Sequence, residues 1–343
     1  SSRKDNLVGV EMKKKLIVVL FVVILVISLP RSEVQAAEEI IWEKTGPGIE
    51  GTGIIALAID PQTPSTLYAV TPRKVYKGVN GGESWSPSSN GLTADSLSSL
   101  VIDPQTPSTL YVGTYLNGVF KSEDGGESWS PSSNGLTAPY ICSLAIDPKT
   151  PSTLYVGTYL NGVFKSEDGG KTWFAAYNGL PEESRILSLA IDPQAPTTLY
   201  AASLHNGVYK SANGGETWSE ANNGLTDSDI RALVIDPQTP STLYAGTFRH
   251  GVFKSENGGE TWSAANSGLI GTGVSTLAID PQTPSTLYVG VSGVFMSVNG
   301  GETWSAANRG LTDTYNHVLA IDPQTPTTLY AGTAEDGVFK GQR

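Results

Sequence analysis

Ile102-Asp103-Pro104, Thr109-Leu110-Tyr111, Gly118-Val119-Phe120-Lys121 and Ser122-Glu123-Asp124-Gly125-Gly126-Glu127-Ser128-Trp129 form a single unit, and that unit recurs along the chain. Its opening aspartate returns at Asp60, Asp103, Asp147, Asp192, Asp236, Asp280 and Asp322, every 42 to 45 residues. A period of this size marks a repeat architecture in which each unit buries its faces against its neighbours.

One unit reads as four short strands. Leu97 to Ile102 is apolar and is ended by Asp103-Pro104, with Pro107 close behind, so this link is a stiff turn. Thr109 to Thr114 is β-branched and aromatic, and Gly118 to Ser122 carries Val119 and Phe120. Asp124-Gly125-Gly126 supplies the glycines of a tight hairpin, and Glu127 to Ser130 opens a fourth strand with Trp129. Four antiparallel strands in about 44 residues make one propeller blade.

The aromatic residues count the blades. Tyrosine recurs in the second strand at Tyr68, Tyr111, Tyr155, Tyr200, Tyr244, Tyr288 and Tyr330. Tryptophan follows the hairpin at Trp85, Trp129, Trp173, Trp218, Trp262 and Trp304, but the seventh copy stops at Phe339-Lys340 without one. The missing tryptophan stands at the other end of the chain, in Ile40-Ile41-Trp42-Glu43. Pairing this orphan strand with the last copy completes seven blades and removes the two edges an open array would leave exposed. The expected fold is an all-β, seven-bladed β-propeller of four-stranded antiparallel blades over residues 37–343, closed by an N-terminal strand.

The segments Ser122 to Trp129, Ser166 to Trp173, Ser211 to Trp218, Ser255 to Trp262 and Ser297 to Trp304 resemble the Asp-box, or BNR repeat, and Gly78 to Trp85 is a copy without the first serine. The chain thus resembles the Asp-box propellers: sialidases, xyloglucan-type glycoside hydrolases, the sortilin ectodomain and photosystem II assembly-factor propellers. The resemblance implies that the box is a folding device, its Asp or Asn capping the turn and its aromatic residue packing between blades. A calcium ring at these turns is not expected, because Asn213, Asn257 and Asn299 replace Asp in three copies and few oxygen ligands lie nearby. Neither a metal nor a cofactor is expected.

Met12, Lys13-Lys14-Lys15, the apolar run Leu16 to Leu29, Pro30 and Val34-Gln35-Ala36 have the order of a secretory signal peptide over residues 12–36, with cleavage expected after Ala36. Residues 1–11 read as upstream sequence. The run is short for a membrane span, which needs about 20 residues, so no stable span is expected after cleavage. The whole chain has a net charge of −11, and removing residues 1–36 leaves 16 basic and 30 acidic residues, a net charge of −14. That balance argues against nucleic acid or an anionic membrane as partner. Localisation is expected to be secreted or periplasmic, and the protein a monomer. The single cysteine, Cys142, permits no intramolecular disulfide; it occupies the slot of Ser98, Leu187 and Ser275 and reads as a small, partly buried side chain.

Comparing repeats within the chain separates a uniform end from a varied one. The Asp-Pro-Gln-Thr-Pro links and the Asp-box hairpins lie at one end of the blades and hardly change, whereas the second-to-third-strand and blade-to-blade links lie at the other and change most. The varied end offers ligand-binding candidates: Arg73, Tyr115, Tyr159, Arg185, His205, Arg231, Arg249, His250, Tyr315 and His317. Aromatic, arginine and histidine side chains around a ring mouth suit an extracellular protein or carbohydrate.

No catalytic residues are expected. A glycosidase needs two carboxylates about 5–10 Å apart, and none on the varied end is marked out by its local sequence. The sialidase Phe/Tyr-Arg-Ile-Pro motif is missing, since the first blade reads Trp42-Glu43-Lys44-Thr45. The xyloglucan-type enzymes commonly set two propellers around a cleft, and one fits here. Residues 102–126 and 146–170 differ only at Gln105 and Lys149, and such near-identity suits a binding ring better than a site that needs each blade to specialise. The expected function is a non-catalytic binding or assembly module; the alternative is a glycoside hydrolase acting on extracellular glycans.

Overall fold

The computed structural model describes residues 39–49, 53–94, 96–313, 315 and 318–343. The predicted signal peptide, Asp95 and His317 lie outside the described residues.

The strands form seven four-stranded antiparallel sheets. Blades 1 to 6 each use four consecutive strands; blade 2, for example, runs Leu97–Ile102, Leu110–Thr114, Val119–Ser122 and Ser130–Pro131. Blade 7 takes Val318–Ile321, Thr328–Gly332 and Val338–Gln342 from the end of the chain and Ile41–Lys44 from its beginning. In that last pairing Trp42 lies opposite Gly341 and Lys44 opposite Phe339. The orphan-strand reading of Ile40 to Glu43 therefore holds. The first strand of every blade touches the first strands of both neighbours, blades 7 and 1 included, so these strands surround the axis and the ring is closed. Among the described residues no helix is long and apolar enough to cross a membrane.

Burial follows from this geometry. The second strand of each blade is buried along its whole length, because it is flanked within its sheet and covered by a blade on each face. The apolar core divides into clusters that each join two adjacent blades; one packs Tyr68, Val70 and Val75 of blade 1 against Leu97, Leu110 and Trp129 of blade 2. No blade has a core of its own, as expected for a repeat fold.

Three rings of hydrogen bonds lock the repeats, each made by residues of the repeated pattern. The tryptophan indole reaches back one blade: Trp129 Nε1 donates to Ser88 O at 2.8 Å, Trp173 to Ser132 O, Trp218 to Ala176 O, Trp262 to Ala221 O and Trp304 to Ala265 O. Trp42 donates to Ala307 O at 2.7 Å, and Trp85 reaches Thr45 Oγ1 across the seam. In six blades the tyrosine hydroxyl reaches forward to the next hairpin, as in Tyr68 to Gly125 O and Tyr330 to Gly81 O, while Tyr288 accepts Arg343 Nη1. At the uniform end, Gln62 Nε2 donates to the carbonyls of Pro104 and Gln105, and the same step repeats until Gln324 Nε2 donates to Pro61 and Gln62. In blade 3 Lys149 stands in for the glutamine and donates to Gln194 O.

The glycine of each Asn-Gly-Leu link follows from the same docking. Gly91 has φ +80°, and a Cβ there would collide with Trp129 O. Trp129 N meanwhile donates to Asn90 O. Gly310 stands in the same relation to Trp42, which confirms that Trp42 occupies the seventh tryptophan slot.

The outer strands differ from the expectation. In blades 2 to 6 the outer ladder begins after the tryptophan and spans two residues, as at Ser130–Pro131, whereas Glu127 to Ser130 was expected to open it. The Asp-box is the cause. Ser122 Oγ accepts Gly126 N, and Asp124 accepts Ser128 N, so the backbone donors ahead of the tryptophan are taken by side chains. In blades 1 and 7 a glycine, Gly78 or Gly341, replaces that serine, and the outer strand runs for four residues.

Candidate functional site

The varied end is built from the second-to-third-strand loops and the links into each inner strand. Backbone bonds fix their relative positions: Tyr115 N donates to Ser96 O, Tyr159 N to Tyr140 O, Leu204 N to Arg185 O and Phe248 N to Asp229 O. Tyr115, Tyr159, Leu204 and Phe248 thus hold one equivalent position in blades 2 to 5, and Ser96, Tyr140, Arg185 and Asp229 hold another.

Blades 2 to 5 share a further device. Their inner strands change register between Leu97 and Ser99, Ile141 and Ser143, Ile186 and Ser188, and Ile230 and Ala232. The extra residues are Ser98, Cys142, Leu187 and Arg231, at the end of the strand that opens on the varied face. A bulge re-aims a side chain at the rim of a closed sheet. Four successive blades therefore present an individual residue at the mouth.

Three of the predicted residues come together here. The Tyr115 ring lies 5.5 Å from that of Tyr140 and 5.6 Å from that of Tyr159. The Arg185 guanidinium carbon sits 4.2 Å from the centre of the Tyr159 ring, a cation–π distance. The result is a crescent of three aromatic rings ending in a cation, drawn from blades 2, 3 and 4. Arg185 Nε is buried without a hydrogen-bond partner, and among the described residues no carboxylate pairs with this guanidinium. Cys142 lies beside it; burial pushes the thiol above its ordinary range, with Arg185 pulling the other way. Burial, with Tyr159 beside it, also raises the Tyr115 hydroxyl above its ordinary range.

Arg231 lies over the Phe248 ring at 3.9 Å, but its Nε is 3.5 Å from Asp229 Oδ1, so its charge is shared. Arg249 and His250 belong to the loop that Asp227 holds. Asp227 accepts Arg249 N at 2.9 Å and faces His250 Nδ1 at 3.2 Å. Burial raises the Asp227 carboxyl, but hydrogen bonds from Asp229 N, His250 and Arg249 N outweigh it and hold it low. Arg73 lies exposed in the blade 1 loop, and His205 lies exposed in the blade 4 loop with φ 71°. Tyr315 is exposed in the link into blade 7, where its N–H donates to Asp313.

Two partners escaped the sequence reading. Phe248 was legible by aligning it with Tyr115 and Tyr159, since all three follow the Thr that ends the second strand. Asp227 was legible as the twin of Asp313, which holds the blade 7 loop by accepting Glu335 N. Nothing in the sequence marked the bulges.

The Asp-box carboxylates are engaged by their own turns. Asp124 accepts from Ser128 Oγ and N and from Ser122 Oγ, which holds its carboxyl down at about 2. Among the described residues no group of His, Cys, Asp and Glu is placed to hold a metal ion.

No protein-family model and no curated protein matches the chain. Among solved structures, a GH74 enzyme of Niastella koreensis superposes with a TM-score of 0.72 at 22% identity, over 87% of this chain and 53% of that one. YCF48 bound to a D1 peptide superposes with a TM-score of 0.65 at 16% identity, over 88% of this chain and 96% of that one. The extracellular domain of a putative hybrid two-component system from B. thetaiotaomicron gives 0.70 at 14% identity, over 88% and 41%. The chain spans about half the length of the GH74 enzymes it matches. At these identities the shared property is the propeller fold, and it is shared by enzymes and binding domains alike.

Proposed function

We propose that the protein is a secreted, non-catalytic binding or assembly module that holds an extended polypeptide segment carrying a carboxylate on its varied face. The observation that carries this reading is the Arg185 guanidinium, stacked on Tyr159 and unpaired with any described carboxylate, at the end of the Tyr140–Tyr115–Tyr159 crescent. Tyrosine rings offer large, rigid contact area with little loss of conformational freedom, and a planar guanidinium binds a carboxylate through two parallel hydrogen bonds. Four aspartates of this face have structural duties: Asp227 and Asp313 hold loops, Asp229 pairs with Arg231, and Asp336 accepts Thr312 Oγ1. That favours binding over glycoside hydrolysis. The peptide-bound YCF48 propeller, of nearly the same length, lends the reading support.

A calorimetric titration with an acidic aromatic peptide and with neutral β-glucan oligosaccharides, run beside a glycan-hydrolysis screen, tests it. The peptide is expected to bind more tightly than the oligosaccharides, and no glycan is expected to turn over. Turnover that vanishes when a carboxylate of this face is neutralised would establish the glycoside-hydrolase reading instead.

A further inference from the structure

One blade junction breaks the repeat pattern on the outer rim. After the tryptophan, blades 1, 2, 4, 5 and 6 place Ser89, Ser133, Asn222, Asn266 and Asn308, whose side chains accept the N–H of Val75, Val119, Val208, Val252 and Val294. Blade 3 places Tyr177 there, half-exposed and packed edge-on to Phe164 with ring centres 6.0 Å apart. Blade 3 also carries Phe174, 64% exposed, where blades 1, 2, 4, 5 and 6 carry Ser86, Ser130, Ser219, Ser263 and Ser305. Two polar positions have become aromatic in a blade whose residues 146–170 differ from those of blade 2 at a single position.

The link that follows is also unusual. Leu180-Pro181-Glu182-Glu183-Ser184 closes the longest of the repeats. Ser184 is fully buried, its hydroxyl donates to Pro181 O, and its carbonyl accepts Gly162 N, so the link is tied to the neighbouring loop. Glu183 is held at φ 57°, a conformation non-glycine residues seldom adopt, which signals that the surroundings over-determine it. Tyr177 and this link border a cleft of about 640 Å³, whose apolar lining includes Leu160, Tyr177, Leu180 and Pro181 and whose charged lining is Glu182 and Glu183; Phe174 lies outside it. Among the described residues no lysine, arginine or histidine lines it.

We infer that this cleft is a second binding site, for an apolar-and-basic peptide segment: an aliphatic or aromatic side chain packs against the apolar lining while a neighbouring lysine or arginine pairs with Glu182 and Glu183. The occupant's charge follows from the lining, which offers two carboxylates and no cation. A cleft of this volume takes one or two side chains, and an apolar lining beside charged groups is the arrangement of an interaction anchor. The site stands on the outer rim between blades 3 and 4. It is built from residues other than the arginine crescent and is complementary to the opposite charge.

The test is fluorescence anisotropy with two end-capped, labelled peptides, Gly-Leu-Lys-Phe-Lys-Leu-Gly and its Glu-for-Lys analogue. Three variants accompany the wild type: Tyr177→Ser, Glu182→Gln combined with Glu183→Gln, and Arg185→Ala. Tyr177→Ser installs the residue that blade 2 already carries at Ser133, so the fold should tolerate it; circular dichroism checks this. In Arg185→Ala, where the crescent has lost the cation that would hold a carboxylate, the lysine peptide is expected to bind at least tenfold more tightly than the glutamate peptide. Lysine-peptide binding should be the same in Arg185→Ala as in wild type and fall at least tenfold in the first two variants. Equal binding of the two peptides to Arg185→Ala, retention of lysine-peptide binding in Tyr177→Ser, or its loss in Arg185→Ala would each overturn the assignment.

Discussion

At the scale of single residues, the molecule separates side chains that hold the fold from those left free. Ser166 exemplifies the first group. It is fully buried, its Oγ donates to Asp168 and accepts Gly170 N, and it fixes the turn that Tyr111 of the preceding blade then grips. Ser166→Ala leaves the buried Gly170 N–H without its acceptor, and an unsatisfied buried donor costs about 1–3 kcal/mol. Chemical denaturation should show a loss of that size, and no change would mean that the Asp-box serine is dispensable. Arg185 exemplifies the second group, a cation the protein stacks on an aromatic ring and pairs with no described carboxylate. The types of residue in the crescent were legible in the sequence, because tyrosine and arginine stood out where repeats diverge. Their convergence was not, because it depends on how the loops of blades 2 to 4 are set beside one another, which leaves no mark in composition or period.

At the scale of elements, the N-terminal strand is the decisive piece. Trp42 docks on Arg309-Gly310 as Trp129 docks on Asn90-Gly91, and Ile40 joins the core between blades 6 and 7. Deleting residues 40–44 removes the outer strand of blade 7 and two buried side chains, each worth about 2–5 kcal/mol. The Tm should fall by more than 10 °C, on the order expected for several kcal/mol in a chain of this size; an unaltered Tm would contradict closure by this strand. The sequence exposed this element through arithmetic alone, one tryptophan too many at the start and one too few at the end. The length of the outer strands was hidden. Seven similar Trp segments suggest seven similar strands, yet the choice of serine or glycine in the preceding strand decides whether the ladder begins before or after the tryptophan.

At the scale of the whole molecule, the repeat makes one residue's titration act many times. The hydroxyls of Tyr68, Tyr200, Tyr244 and Tyr330 are pushed up to about 12, first by burial and then by the aspartate of each inner-strand turn. A tyrosine whose folded pKa lies above its unfolded value of about 10 stabilises the fold fully below pH 10 and loses that contribution as the pH rises toward 12. Each of these hydroxyls also donates across a blade boundary. The Tm should therefore be flat on the alkaline side up to about pH 10 and drop steeply between about 10 and 12, together with a delayed rise in tyrosinate absorbance. Early ionisation of all tyrosines near pH 10 would show that the inter-blade hydroxyls are solvated.

The same repetition places the glutamine belt at one end of the ring and the proposed recognition surface at the other. The glutamine belt at the uniform end closes on itself through Gln324, while the varied end breaks symmetry with a crescent confined to blades 2 to 4. The measurement that tests this division most directly compares binding of the acidic aromatic peptide to two variants of the protein. One carries Tyr159→Ala with Arg185→Ala on the varied face, and the other carries Gln105→Ala with Gln238→Ala in the belt. The first should lose at least tenfold in affinity with little change in Tm, and the second should keep its affinity while losing stability. Unchanged affinity in the first variant, or lost affinity in the second at a temperature where it stays folded, would contradict the account.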